Sequence, residues 1–188
     1  MRNRHGLRAV IAAGLALAAS LAPNPAATAA HGCQGWMMYM VNADFEASTD
    51  GSAVPAWCTG EGPDAKGVDR GIGWSYAGAN NAYIEATTTT QWNALTQHLV
   101  VPRNDTIELA AYVRTSLSVT AGYFGVRHKA TGAVHREVRF GPLNVGYQRL
   151  SVRFPSEASN DYTAFVGYWS PGGFSWLVVD EVTTQLVR

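Results

Sequence analysis

The sequence predicts an all-β domain, a two-sheet antiparallel β-sandwich of the jelly-roll kind, on three observations. From Trp92 onward apolar residues recur with period two, turn-forming residues break those runs at short intervals, and no stretch after the first thirty residues has the period of an amphipathic helix. Short strands without intervening helices pack as two antiparallel layers rather than as a helix-covered parallel sheet. An immunoglobulin-like sandwich has the same signature and is the second architecture.

The chain opens with Arg2, Arg4 and Arg8, an Ala-rich apolar run from Ala9 to Ala22, and the small residues Ala27-Thr28-Ala29 that a signal peptidase accepts. A membrane anchor needs about 20 apolar residues, and Pro23 and Pro25 end this run early. Residues 1–30 are therefore expected to be a signal peptide, the product secreted and extracellular, and residues 31–188 a single monomeric domain. No later stretch is apolar for long enough to span a bilayer. Without the three leader arginines, eleven basic residues face fourteen acidic ones, which argues against a nucleic-acid partner. Cys33 and Cys58 are the only cysteines, and in an oxidising compartment they are expected to pair. Such a bridge would restrict the unfolded chain by roughly 3 kcal/mol.

In chain order, "WMMYMV" before Asn42 reads as an apolar strand. The segment from Ser48 to Asn81, rich in Gly, Pro, Asp and Ala, reads as a long irregular excursion over the sandwich edge. In "TIELAAYVRT", Ile107, Leu109, Ala111 and Val113 take one face while Glu108, Tyr112 and Arg114 take the other. "YQRLSVRF" repeats the alternation with Leu150, Val152 and Phe154. "GYFGVRHK", "AVHREVRF", "YTAFVGYW" and "FSWLVVDEVTTQLV" follow, separated by the turn signals "KATG", "GPLNVG", "PSEASND" and "SPGG".

Acidic residues cluster unevenly. Asp44, Glu46, Asp50, Glu61, Asp64 and Asp69 stand against one cation, Lys66, and Asp180 and Glu181 interrupt the apolar run "WLVVDEV". A carboxylate in such a run is costly unless it is paired, hydrogen-bonded or bound to a metal. If first and last strands lie side by side, Glu46 and Asp180 meet near the loop carrying Asp69, a hard-oxygen set of the kind calcium fills. The competing reading has Asp180 capping backbone amides at a bulge while the other acids face water.

Catalytic signatures are weak. A glycosidase needs a carboxylate pair flanking the bond to be cut, and no local motif selects one among these acids. There is no Gly-x-Ser-x-Gly and no zinc-type His pair, and His31, His98 and His128 have no recognisable partner. A small sandwich hydrolase or lyase using the acids of residues 44–69 or Glu137 nevertheless remains an alternative. A protein-interaction module with a broad apolar patch is another.

Several stretches in collinear order carry a resemblance: "VNADFE", "GVDRGIGWSYAGANN", "WNALTQ", "PRNDTIELAAY", "GYFGVR", "VGYW" and "SWLVVDEV". Together they resemble secreted carbohydrate-binding modules of the cellulase-associated, galactose-binding-like jelly-roll type, including actinobacterial ones. The resemblance implies a sandwich that binds a polysaccharide or other glycan without cleaving it, with a structural calcium held by Glu46 and Asp180. Asp180-Glu181 departs from the paired aspartates such modules often carry at that strand.

A glycan cleft needs exposed aromatic platforms for the C–H faces of sugar rings and polar side chains for their hydroxyls. By strand parity the candidates are Tyr112, Arg114, Tyr123, Arg127, His135, Glu137 and Arg139 on neighbouring strands; Trp92, Trp169 or Trp176 are further platforms whose facing parity does not fix. Trp57 and Trp74 are expected to plug the sandwich edge. Arg127, Lys129, Arg136, Arg139, Arg149 and Arg153 place six cations in one window with Glu137, either a solvated face or a site for acidic polysaccharide.

Overall fold

The computed structural model describes residues 40–48, 57–87 and 90–188. Ten strands account for most of them: β1 (Cys58–Glu61), β2 (Ala65–Arg70), β3 (Asn80–Ala86), β4 (Trp92–Val100), β5 (Thr106–Thr115), β6 (Gly122–His128), β7 (Val134–Phe140), β8 (Gln148–Pro155), β9 (Asp161–Trp169) and β10 (Ser175–Leu186). They form two antiparallel five-stranded sheets, ordered β1-β4-β9-β6-β7 (the front sheet) and β2-β3-β10-β5-β8 (the back sheet). No helix occurs among the described residues. The fold is a jelly-roll β-sandwich.

Alternation builds the core. Ile107, Leu109, Ala111 and Val113 of β5 are fully buried, as are Leu95, Leu99, Val126, Tyr162 and Tyr168 from the front sheet and Ile84, Leu177 and Val179 from the back. Each fully buried aliphatic side chain contributes roughly 1.5–3 kcal/mol relative to exposure, so register is tightly specified wherever one face is covered.

Two sequence expectations need correction. The segment from Ser48 to Asn81 is not wholly irregular, because it supplies an edge strand to each sheet: β1 pairs with β4 and β2 pairs with β3. "CTGE" and "AKGVDR" are short and polar, as edge strands often are, and so carry no clear alternation. Residues 41–47 form turns and a bend, so Val41, the last residue of the expected apolar strand, is not in a strand and Glu46 is not on one, while residues 36–39 lie outside the described residues. Phe45 at their centre is fully buried with its ring 5.4 Å from that of Trp57. This segment lies along β10, where the Val182 amide donates to Ala43 O at 2.9 Å.

Residues 1–30, Cys33 and Asp50 lie outside the described residues, and with them the leader and the Cys33–Cys58 pairing.

Candidate functional site

The outward face of the front sheet carries a trough of about 340 Å³ lined by Trp92, Tyr123, Arg127, Val134, Glu137, Phe165 and Trp169. Four strands contribute, and register explains the shape. Trp92 faces Trp169 across the β4–β9 pairing, Ala94 faces Gly167, Tyr123 faces Gly167 and Gly125 faces Phe165. Residues paired across strands share a face of the sheet. Ala94, Gly125 and Gly167 therefore keep the middle low, with Trp92, Trp169 and Tyr123 standing around it and the buried Phe165 ring forming part of the floor beneath Arg127.

Trp92 is the hub of the aromatic wall, 5.9 Å from Trp169, 6.1 Å from Tyr123 and 6.2 Å from Phe165 between ring centroids. Trp169 is 52% exposed. Glu61 on β1 fixes two walls at once: its Oε2 accepts from Trp92 Nε1 at 2.5 Å and from Arg127 at 3.0 Å. The Arg127 guanidinium also lies over the Phe165 ring at 4.5 Å. Pinned in this way, the Trp92 ring and the Arg127 guanidinium have little rotamer freedom left to lose. Five of the residues expected from the sequence, Trp92, Tyr123, Arg127, Glu137 and Trp169, thus meet in one place. Phe165 and Glu61 were missed, although Phe165 shares its parity with Trp169 in "YTAFVGYW".

No protein-family model matches the sequence, and no curated protein matches it. Solved structures do match in fold. A carbohydrate-binding module, CBM61, in complex with β-1,4-galactotriose superimposes with a TM-score of 0.63 at 15% identity, covering 80% of this chain and 99% of that one. The Stig cyclase Fisc from Fischerella sp. TAU, in complex with (3Z)-3-(1-methyl-2-pyrrolidinylidene)-3H-indole, gives 0.64 at 14% identity over 80% and 97%. A family 16 carbohydrate-binding module gives 0.56 at 13% identity over 77% and 97%. The chain shares the jelly-roll fold of these proteins. The same jelly roll serves a cyclase, so fold alone does not assign an activity.

On this jelly roll the other expected ligand residues go elsewhere. Tyr112 and Arg114 lie on β5, in the opposite sheet from Tyr123, so they cannot share a floor with it. Tyr112 is also covered: the Tyr76 ring stacks on it at 3.6 Å and 12°. Arg114 lies 5.5 Å from the Trp74 ring and 5.8 Å from Trp176, and Tyr147 Oη donates to Trp74 O at 2.8 Å. Trp74 thus lies across the back sheet, 42% exposed, and plugs no edge. Arg139 lies at the far end of the front face, where it reaches Thr120 O at 3.4 Å and lines a separate recess.

His135 leaves the trough because of a bulge. Tyr123 pairs with Arg139 and Gly125 with Glu137, but the register then shifts and Arg127 pairs with Val134. An extra residue on one strand reverses parity beyond it. Val134 therefore takes the outward place and the His135 ring lies against Phe154 and Tyr162, at 5.7 and 5.2 Å.

The expected basic face is also divided. Arg149 and Arg153 clamp Glu108 on the back sheet at 2.6 and 2.7 Å. Their hydrogen bonds hold the Glu108 carboxyl well below the usual range, at about 2. His98, expected to stand alone, pairs with Asp161.

Glu46 and Asp180 each cap amides of the loop of residues 76–80, while Asp69 lies beside it on β2; the three do not bring their oxygens within 4.8 Å of one another. Asp180 is fully buried; its Oδ2 accepts from the amides of Tyr76 and Ala77 at 2.8 and 3.1 Å, and its Oδ1 from Glu181 at 2.8 Å. Burial pushes its carboxyl up to about 6, against the pull of those amides. Glu46 Oε1 accepts from Ala79 and Asn80, both at 2.8 Å. Gly78 sits so close that a Cβ there would lie 2.3 Å from Glu46 Oε1. Asp69 Oδ2 accepts from Asn81 Nδ2 at 3.1 Å. Opposite ends of the chain therefore meet at this loop, with Asp180 at a bulge where Glu181 has φ 50°. Backbone amides supply much of the compensation that burial of these carboxylates requires.

Proposed function

We propose that the protein is a secreted, non-catalytic carbohydrate-binding module that takes a polysaccharide or glycan chain in the front-sheet trough. The observation that carries this reading is the convergence of Trp92, Trp169 and Tyr123 around Arg127 and Glu137, over a floor of glycine, alanine and the buried Phe165 ring. Flat rings complement the C–H faces of pyranoses, and the charged pair complements their hydroxyls. The volume suits a short run of sugar units. Export rests on residues 1–30, read from sequence.

The carboxylate count favours binding over hydrolysis. Glycoside cleavage of the common kinds uses two carboxyl groups at the bond. Among the residues lining the trough Glu137 is the one carboxylate, and nearby Glu61 is committed to Arg127 and Trp92. The test is retention of the protein on a panel of insoluble polysaccharides, with soluble oligosaccharide competition and an assay for released sugar. Retention without release supports the reading. Release that is lost in Glu137→Gln while binding persists would establish the enzyme alternative.

A structural calcium at Glu46 and Asp180 belongs to the same proposal. Its support is the meeting of these carboxylates at the loop of residues 75–80, which also offers carbonyl oxygens. The fit is partial, since the amides already occupy both Asp180 oxygens and Glu46 Oε1. Glu46 Oε2 and the lone pairs left over would have to hold the ion.

A further inference from the structure

Beside the β6–β7 turn, outside the trough, His128, His135 and Glu157 each present a donor atom, and the three atoms all lie within 4.8 Å of one another. His128 ends β6, His135 stands at the bulged start of β7, and Glu157 follows β8. The hairpin brings the imidazoles together, with ring centroids 4.7 Å apart, and the bulge that removes His135 from the trough is what aims it here. From these contacts we infer that His128, His135 and Glu157 bind one first-row transition-metal dication, with Zn2+ as the representative ion.

The tautomer of His135 supports this reading. Its Nε2 lies 2.9 Å from Pro155 O, and a carbonyl oxygen can only accept, so Nε2 carries the proton. In the neutral ring Nδ1 then offers a lone pair, and it faces Glu157 Oε1 at 3.6 Å. That separation is long for a hydrogen bond. It is close to the distance, about 3.4 Å, between two donors on one tetrahedral zinc with bonds of about 2.1 Å. A backbone carbonyl fixing the far nitrogen is the usual support for a metal-bound imidazole.

The remaining features fit the same chemistry. The Glu157 amide donates to Tyr162 Oη at 2.9 Å, which anchors the residue while its side chain stays 54% exposed and free to close on an ion. An open recess lined by His128, Thr131, Glu157, Ser159 and Asp161 gives water access to a fourth position. Two imidazoles and one carboxylate favour zinc, copper or nickel over calcium or magnesium, which prefer oxygen. The ion would tie the β6–β7 hairpin of the front sheet to the loop after β8 of the back sheet. The site is independent of the glycan reading.

The test is calorimetric titration of untagged, chelator-treated protein with Zn2+, and separately with Ca2+, together with the visible spectrum on adding Co2+. Expected are one Zn2+ per chain, a Zn2+-dependent rise in melting temperature, a four-coordinate Co2+ band, and no competition by Ca2+. Glu157→Gln, an exposed and nearly isosteric change, and His128→Asn should each weaken Zn2+ by more than about tenfold, since even losing a supporting partner of a ligand costs 10–100-fold. No Zn2+ binding by the wild-type chain, or binding unchanged in both variants, overturns the site and leaves His135 and Glu157 as a structural contact between two side chains.

Discussion

Gly125 and Phe165 stand directly opposite each other on β6 and β9, a ring beside a position without a side chain, and this pairing hollows the front sheet. A Cβ on Gly125 would also lie 2.1 Å from Arg136 O and 2.7 Å from Glu137 Cα, so the bulged β7 comes close only because glycine is there. Gly125→Ala should therefore cost about 1–3 kcal/mol of stability, as overpacking does. The urea midpoint is the measurement, and an unshifted midpoint would show that β7 yields without penalty.

The trough walls should carry the affinity. Trp92→Ala, Trp169→Ala and Tyr123→Ala should each weaken polysaccharide binding by about tenfold or more, equivalent to about 1.4 kcal/mol. Tyr112→Ala should leave retention intact, because Tyr76 already covers that ring. Isothermal titration with a soluble oligosaccharide separates these outcomes; equal losses at Tyr112 and Tyr123 would remove the trough as the site.

Glu61 acts on the ligand face through other residues. Glu61→Ala frees Trp92 and Arg127 together, so binding should weaken while folding stability changes by under about 1 kcal/mol, as for other partly exposed ion pairs. Adding salt to the wild-type protein should leave stacking on a neutral glycan nearly unchanged. A steep loss with salt would instead indicate an acidic ligand held by Arg127.

Acid sensitivity should come from the back sheet. The Glu108 carboxyl is held near 2 by Arg149 and Arg153, below its ordinary value of 4.5. A folded-state value lower than the unfolded one stabilises fully above pH 4.5 and loses that contribution as the pH falls toward 2. Glu108→Gln should flatten the stability profile across this window, as read by thermal melts at a series of pH values.

For the proposed calcium, EDTA should lower the melting temperature and added Ca2+ restore it, because a ligand bound only by the native state stabilises it. Glu46→Gln should abolish the response. A melting temperature indifferent to chelator would leave the amides of residues 76–80 as the whole explanation of these carboxylates.

How far the sequence could be read differs from strand to strand. β5 and β8 were legible because one covered face imposes strict alternation, and Leu109, Val113, Val152 and Phe154 are buried as that pattern requires. β1 and β2 were not, since a short polar edge strand needs only one hydrogen-bonded neighbour. At the site, Tyr123, Arg127 and Glu137 followed from parity, whereas Trp92 and Trp169 followed from residue type and parity left their facing open. His135 did not, because one extra residue in β7 reversed its face.

The amino-acid sequence by itself determined that the chain is a two-layer antiparallel sandwich and, along its unbulged alternating strands, which side chains point away from its core, since burial of alternate residues is a local pattern. Only the tertiary structure decided which sheet each strand joins. It sent β5 and β6, neighbours along the chain, to opposite layers and so parted Tyr112 from Tyr123. It also brought His128, His135 and Glu157 together from three separate strands and loops. Period-two patterning specifies a face, whereas the partner across a sheet is chosen by long-range hydrogen bonding and packing.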